Sequence, residues 1–99
     1  MSFQNKMQPV HPGEILSDEL DALEMSASAF AAALDVPANR ITAILNGQRG
    51  ITADTALRLS RYLGTTAEFW MNLQKTFELR EAEIEHGLEI KKVVKPRAA

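Results

Sequence analysis

Two short helix-forming runs broken by a proline turn constrain this chain more than anything else in it. Residues 26–50 read SASAFAAALDVPANRITAILNGQRG. Phe30, Ala31 and Leu34 fall at helical spacing, and so do Ile41, Ile44 and Leu45. Asp35-Val36-Pro37 forbids one continuous helix between them. Pro37 drives Val36 to an extended backbone, and Asp35 tolerates the left-handed conformation that ends a helix better than most residues. Alanines at 27, 29, 31, 32 and 33 keep the first run slim, so a second helix crosses close to it. A buried helix crossing a short one through a tight turn is the arrangement of a helix-turn-helix.

The remaining sequence fits a single all-α domain around this unit. Ninety-nine residues make one domain, and 45% hydrophobic content suits a folded globule. His11-Pro12-Gly13-Glu14 starts a first helix, with proline at a position whose N–H is unpaired in any case. Leu16, Leu20 and Leu23 form its apolar stripe, and its other face is acidic. Ser26 is the expected N-cap of the second helix, with Met25 and Phe30 as a hydrophobic staple. The third helix runs from Pro37 to about Asn46, where Asn46-Gly47 stops it. Thr52 caps a fourth helix with Ala56, Leu59 and Leu63 inward and Gly64 at its end. Thr65 and Glu68 suggest a capping box for a fifth helix, expected to reach about His86-Gly87. The expectation is a five-helix domain over 11–87, a flexible arm over 1–10, and a basic tail over 88–99, in which Ile90, Val93 and Val94 suit either a short strand or docking on a partner.

Charge and chemistry narrow the function. The net charge is −2, which taken alone disfavours nonspecific nucleic-acid binding. The distribution matters more. Between His11 and Asp35 the charged side chains are Glu14, Asp18, Glu19, Asp21, Glu24 and Asp35, all acidic. Between Val36 and Gly64, Arg40, Arg49, Arg58 and Arg61 stand against Asp54 alone, a balance of +3. There is no cysteine, and hence no disulfide or thiolate chemistry. His11 and His86 lie near opposite ends of the chain, read as surface residues, and belong to no metal or catalytic spacing. No cofactor, no metal and no enzyme activity are expected. No apolar run approaches the ~20 residues that span a bilayer, and the N-terminus has no apolar signal core. A cytoplasmic location follows as the expectation.

DNA recognition rests on helical geometry. Successive positions turn by about 100°, so with Ile41, Ile44 and Leu45 inward, Asn39, Ala43 and Asn46 point away, flanked by Arg40 and Thr42. That small polar face suits entry into a major groove. Asn pairs with adenine, Arg with guanine, and Thr touches a thymine methyl, while Ala43 leaves room for the groove floor. Ser26 and Ser28 offer N–H and hydroxyl donors to a backbone phosphate. Arg49 adds a charged phosphate contact, and Ala38 and Gln48 border the same face. The competing view, that these are ordinary surface side chains, leaves the dense alanines and the Asp-Val-Pro turn without an explanation. Phe69, Trp70, Leu73 and Phe77 form a bulky band on the fifth helix, part of it expected to make a homodimer interface. A dimer sets two recognition helices about one turn (~34 Å) apart on one duplex face.

Residues 26–64 resemble the helix-turn-helix of lambda-repressor-like, XRE-type proteins, through Phe30, Ala31, Leu34, Val36, Ile41 and Ile44, then Asn46-Gly47 and Ala56-Leu57-Arg58-Leu59. HPGEIL at 11–16, ILNGQRGIT at 44–52 and TALRLSRYLGTTAEFWMNLQ at 55–74 resemble the HigA (VapI-like) antitoxins. The resemblance implies a dimeric antitoxin that binds a RelE-like, ribosome-dependent mRNA-cleaving toxin and represses its own operon by binding double-stranded operator DNA. Ala27 stands where the wider family often has glutamine, Asp35 where it has a turn glycine, and Pro37 where it has a capping serine or threonine. The alternatives are a stand-alone XRE-type regulator without a toxin, and an interaction module without DNA binding.

Overall fold

A computed structural model describes residues 8–98. The helices are α1 (Pro12–Leu23), α2 (Ala27–Leu34), α3 (Ala38–Leu45), α4 (Ala53–Leu63) and α5 (Ala67–Val93), with no strand among the described residues. Of the arm expected at 1–10, residues 8–10 are irregular and 1–7 lie outside the described residues.

The helix ends follow local chemistry. His11 caps α1: its Nδ1 accepts the Gly13 N–H at 2.8 Å, while the Glu14 carboxylate accepts the His11 N–H at 3.3 Å. This corrects the reading of His11 as a surface residue. The cap bond replaces water at Nδ1, and the ring is buried edge-on to Phe77 of α5, 4.8 Å between centroids. Ser26 Oγ accepts the Ala29 N–H to start α2. Asp35 ends α2 with φ 59°, as its short polar side chain permits. Pro37 is the N-cap of α3 and contributes no side-chain bond there. Gly47, at φ 77°, turns the chain out of α3. Thr52 caps α4, and Gly64 closes it at φ 82°.

The start of α5 differs by one residue from expectation. Thr66, not Thr65, is the N-cap, accepting the Phe69 N–H at 3.1 Å. Thr65 is diverted to the core, where its Oγ1 accepts the Trp70 indole N–H at 2.8 Å. The far end also differs. α5 continues past Gly87 to Val93, so Leu88, Ile90 and Val93 are helical. Helix-favouring Glu, Ala and Lys residues carry the helix through one glycine, whose cost is only about 1 kcal/mol.

The core gathers Leu16, Leu20, Phe30, Ala31, Leu34, Ile41, Ile44, Ile51, Ala56, Leu59 and Trp70. Leu23 does not join it: at the last turn of α1 it remains 43% exposed. α2 packs on α3 and α4, α1 bridges α3 and α5, and α4 packs on α5. Gly13 permits the α1–α3 contact, because a Cβ at that position would overlap the Ile44 carbonyl oxygen. Only the first turns of α5 are buried, at Trp70 and Gln74, and the later part projects from the globule.

Candidate nucleic-acid interface

The α3 helix is anchored from beneath by Ile41 and Ile44, both fully buried, with Leu45 half-buried. This leaves Ala38, Asn39, Thr42 and Asn46 exposed and Ala43 half-buried. Thr42 donates its hydroxyl to the Asn39 carbonyl at 3.3 Å, which leaves its methyl and an oxygen lone pair for an outside partner. The side chains of Asn39, Asn46, Gln48 and Arg49 are exposed, and no side-chain hydrogen bond engages them among the described residues. Ser26 and Ser28 are exposed at the start of α2. The structure therefore brings the sequence-derived set together on the surface of the α2–α3 unit and the loop that follows it.

Arg40 is the exception to this free face. Its Nη1 donates to Asp54 Oδ2 at 2.7 Å, which draws it toward the first turn of α4. The same oxygen accepts from Arg58 Nε at 2.9 Å. Arg58 Nη1 in turn donates to the carbonyls of Leu34 (2.9 Å) and Asp35 (3.2 Å) at the end of α2. The guanidiniums of Arg58 and Arg40 hold the Asp54 carboxyl below its ordinary range. Asp54 and Arg58 were not among the residues expected at the site. Their i,i+4 spacing was visible in the sequence, but nothing in the sequence linked Asp54 to Arg40, fourteen residues away.

The loop after α3 is fixed from behind by Gln74, a second residue that sequence reasoning missed. Its Oε1 accepts the Ile51 N–H at 2.7 Å, and its Nε2 donates to Glu78 at 2.7 Å. Gly50 lies against this amide, and a Cβ there would sit 2.7 Å from the Gln74 side chain. The ILNGQRGIT segment is thus tied to α5 through one buried amide.

The band on α5 divides. Trp70 is 0% exposed and is the largest fully buried side chain of the core, which corrects its assignment to a dimer interface. An indole that donates to Thr65 beneath its own helix has no surface left for a partner. Leu73 packs against the core, and Phe77 lies against His11. Phe69 stays 42% exposed. Gln8, Pro9 and Val10 border the same groove as Phe69, Leu73 and Phe77, so the chain itself covers part of this face. Further along, Leu79, Ile84 and Leu88 are exposed.

No group of His, Asp or Glu among the described residues is placed to hold a metal ion. No helix of the described residues is long and apolar enough to cross a membrane.

The fold and the exposed α3 face define a helix-turn-helix domain, and the helix-turn-helix family model matches residues 16–70. An addiction-module antidote protein of the HigA family from Coxiella burnetii is 54% identical, with a TM-score of 0.90 over 92% of this chain and 100% of that one. The Pseudomonas aeruginosa antitoxin HigA, solved with the higBA promoter, is 46% identical, with a TM-score of 0.88 over 91% of this chain and 99% of that one. Virulence-associated protein I of Dichelobacter nodosus is 52% identical over 81 residues, which are 81% of this chain and 75% of that protein. The chain belongs to the helix-turn-helix family, in its HigA antitoxin branch. This is a family of DNA-binding antitoxins and not of enzymes.

Proposed function

We propose that this chain binds its own operator as a homodimer and neutralises a RelE-like mRNA-cleaving toxin in the cytoplasm. The observation that carries the DNA reading is the α3 face, where Asn39, Thr42, Ala43 and Asn46 stand outward over an anchored Ile41–Ile44 base. Its small side chains suit the floor of a major groove, and its polar groups suit base edges. Arg40 supplies a guanidinium at the edge of that face, and Gln48 and Arg49 flank it, with Arg49 directed to phosphate. Ala38, Ser26 and Ser28 line the approach to the backbone. The kinship with a HigA solved with the higBA promoter supports DNA binding by this chain.

Dimerisation belongs to the remaining exposed apolar residues of α5. Phe69, with parts of Leu73 and Phe77, lies at one end and Leu79, Ile84 and Leu88 at the other. A net-acidic single module makes few phosphate contacts, and pairing doubles them. The toxin reading rests on membership of the antitoxin branch. A stand-alone regulator is the alternative, distinguished by whether a small basic protein from the adjoining reading frame co-purifies.

Fluorescence anisotropy with the chain's own upstream DNA tests the DNA reading. Asn39→Ala should weaken operator binding by about 1–3 kcal/mol per lost base contact. Arg49→Ala should weaken operator and unrelated duplex alike and lower the salt slope of the dimer by about two, one for each protomer. Unchanged binding for both variants refutes the assigned face.

A further inference from the structure

Asp54 is a carboxylate at the edge of a surface read as meeting phosphate. By charge alone it opposes DNA, yet it is built into the site with short bonds. Its Oδ2 accepts from Arg40 Nη1 at 2.7 Å and from Arg58 Nε at 2.9 Å, and Arg58 continues to the Leu34 and Asp35 carbonyls. We propose that Asp54 is a specificity-determining positioning residue, which sets the pose in which Arg40 meets the operator. The proposal rests on the reading of α3 as the recognition helix.

The bond chain explains how this works. Arg40 has a long side chain with many rotamers, and a contact that must first order it loses discrimination. The Asp54 carboxylate removes that freedom before DNA arrives. Through Arg58 it also refers the Arg40 guanidinium to the end of α2, so the arginine is fixed relative to both helices of the motif. The bond occupies only Nη1. A guanidinium has five N–H donors in a rigid fork, and the edge formed by Nε and Nη2 remains for the O6 and N7 acceptors of a guanine. The triad of two arginines and one aspartate retains one positive charge, so it still attracts the duplex.

This role predicts effects of opposite sign, which a purely structural role does not. Asp54→Asn removes an anion beside the duplex, so affinity for a scrambled duplex should rise. It also releases Arg40, so the ratio of operator to scrambled affinity should fall, by about tenfold if one bidentate base contact is lost. In the Arg40→Ala background the same substitution should leave that ratio nearly unchanged. The experiment is an anisotropy titration of the full chain and these three variants against a labelled duplex of its own upstream DNA and a scrambled duplex. Circular dichroism melts confirm that each variant is folded. If Asp54→Asn leaves the ratio unchanged while Arg40→Ala lowers it, Arg40 reads DNA unaided and the proposal falls, while the reading of α3 stands. If Asp54→Asn lowers the ratio equally in both backgrounds, Asp54 acts on the fold and the proposal also falls. If Arg40→Ala itself leaves operator binding unchanged, the assignment of Arg40 falls together with the proposal. Should Asp54→Asn melt below the assay temperature, Asp54→Glu replaces it. That change keeps the charge but shifts the carboxylate by one methylene, so it should lower the ratio with no gain in scrambled-duplex affinity, and an unchanged ratio overturns the proposal.

Discussion

Replacing Gln74 by Leu should destabilise the domain through a single buried amide. Gln74 Oε1 accepts the Ile51 N–H at 2.7 Å, and Ile51 is 3% exposed. Water has no access to replace the lost acceptor, so the N–H is stranded at a cost of about 1–3 kcal/mol. The second bond, Nε2 to Glu78, contributes little to the loss, because the exposed Glu78 carboxylate returns to water. Apolar Leu atoms at the site recover on the order of 1 kcal/mol. The net expectation is a loss centred near ~1 kcal/mol, within about 0–2 kcal/mol, from the difference of these two effects. For a chain of this length each kcal/mol moves Tm by about 4–8 °C. Urea unfolding at fixed protein concentration measures this directly, since an oligomer's stability depends on concentration. The midpoint should fall with the m-value unchanged. Hydrogen exchange adds a local readout: the Ile51 amide should lose protection beyond the global change. A loss below about 0.5 kcal/mol with Ile51 still protected refutes the reasoning, since surface-like substitutions lie in that range.

Gly13→Ala should cost about 1–3 kcal/mol by overpacking, since α1 must retreat from the Ile44 carbonyl; an unchanged thermal melt refutes the close approach. Trp70→Ala should cost about 3–5 kcal/mol of folding stability, and a variant that melts like the parent but dissociates into monomers on size exclusion returns Trp70 to the interface. The pH dependence follows from Asp54. Its carboxyl is held below the ordinary value by Arg58 and Arg40, so its ionised form favours the folded state. That contribution is present above the unfolded value near ~3.9 and is lost as pH falls through the depressed folded value. Asp54→Asn should therefore flatten the fall in Tm within that acidic window, and parallel curves for the two proteins refute it.

The parts legible in the sequence were those decided by neighbours along the chain. Ser26, Thr52, Gly47 and Gly64 act within one turn, and Ile41 and Ile44 follow the helical period. Asp35 entered the left-handed region because its own side chain allows it. The errors arose where tertiary contacts decide. Thr65 and Thr66 are equivalent by composition, and only the position of the Trp70 indole assigns one to the core and the other to the cap. His11 has no local reason to be buried until Phe77, sixty-six residues later, lies across it. A bulky band at helical spacing predicts burial without saying whether the burying surface is the same chain or another. At Trp70 it is the same chain.

The same distinction explains how a chain of net charge −2 accommodates a DNA-facing surface. Binding depends on charges within about a Debye length of the duplex, ~10 Å at 0.1 M salt, and more distant charges are largely screened. The acidic side chains of α1 lie on another helix's outer face, and those of α5 from Glu81 to Glu89 lie on its projecting part. On α3 and the segments that flank or bond to it, Arg40, Arg49 and Arg58 stand against Asp35 and Asp54, a local balance of +1. Of the two carboxylates, Asp54 is the one held by two arginines. If the remote acidic residues are screened in this way, neutralising Glu81, Glu83 and Glu85 together should leave the salt slope of operator binding unchanged, while Arg49→Ala lowers it by about two, one for each protomer of the dimer. A slope that rises with the triple substitution places the α5 extension near the DNA and overturns this division of the surface.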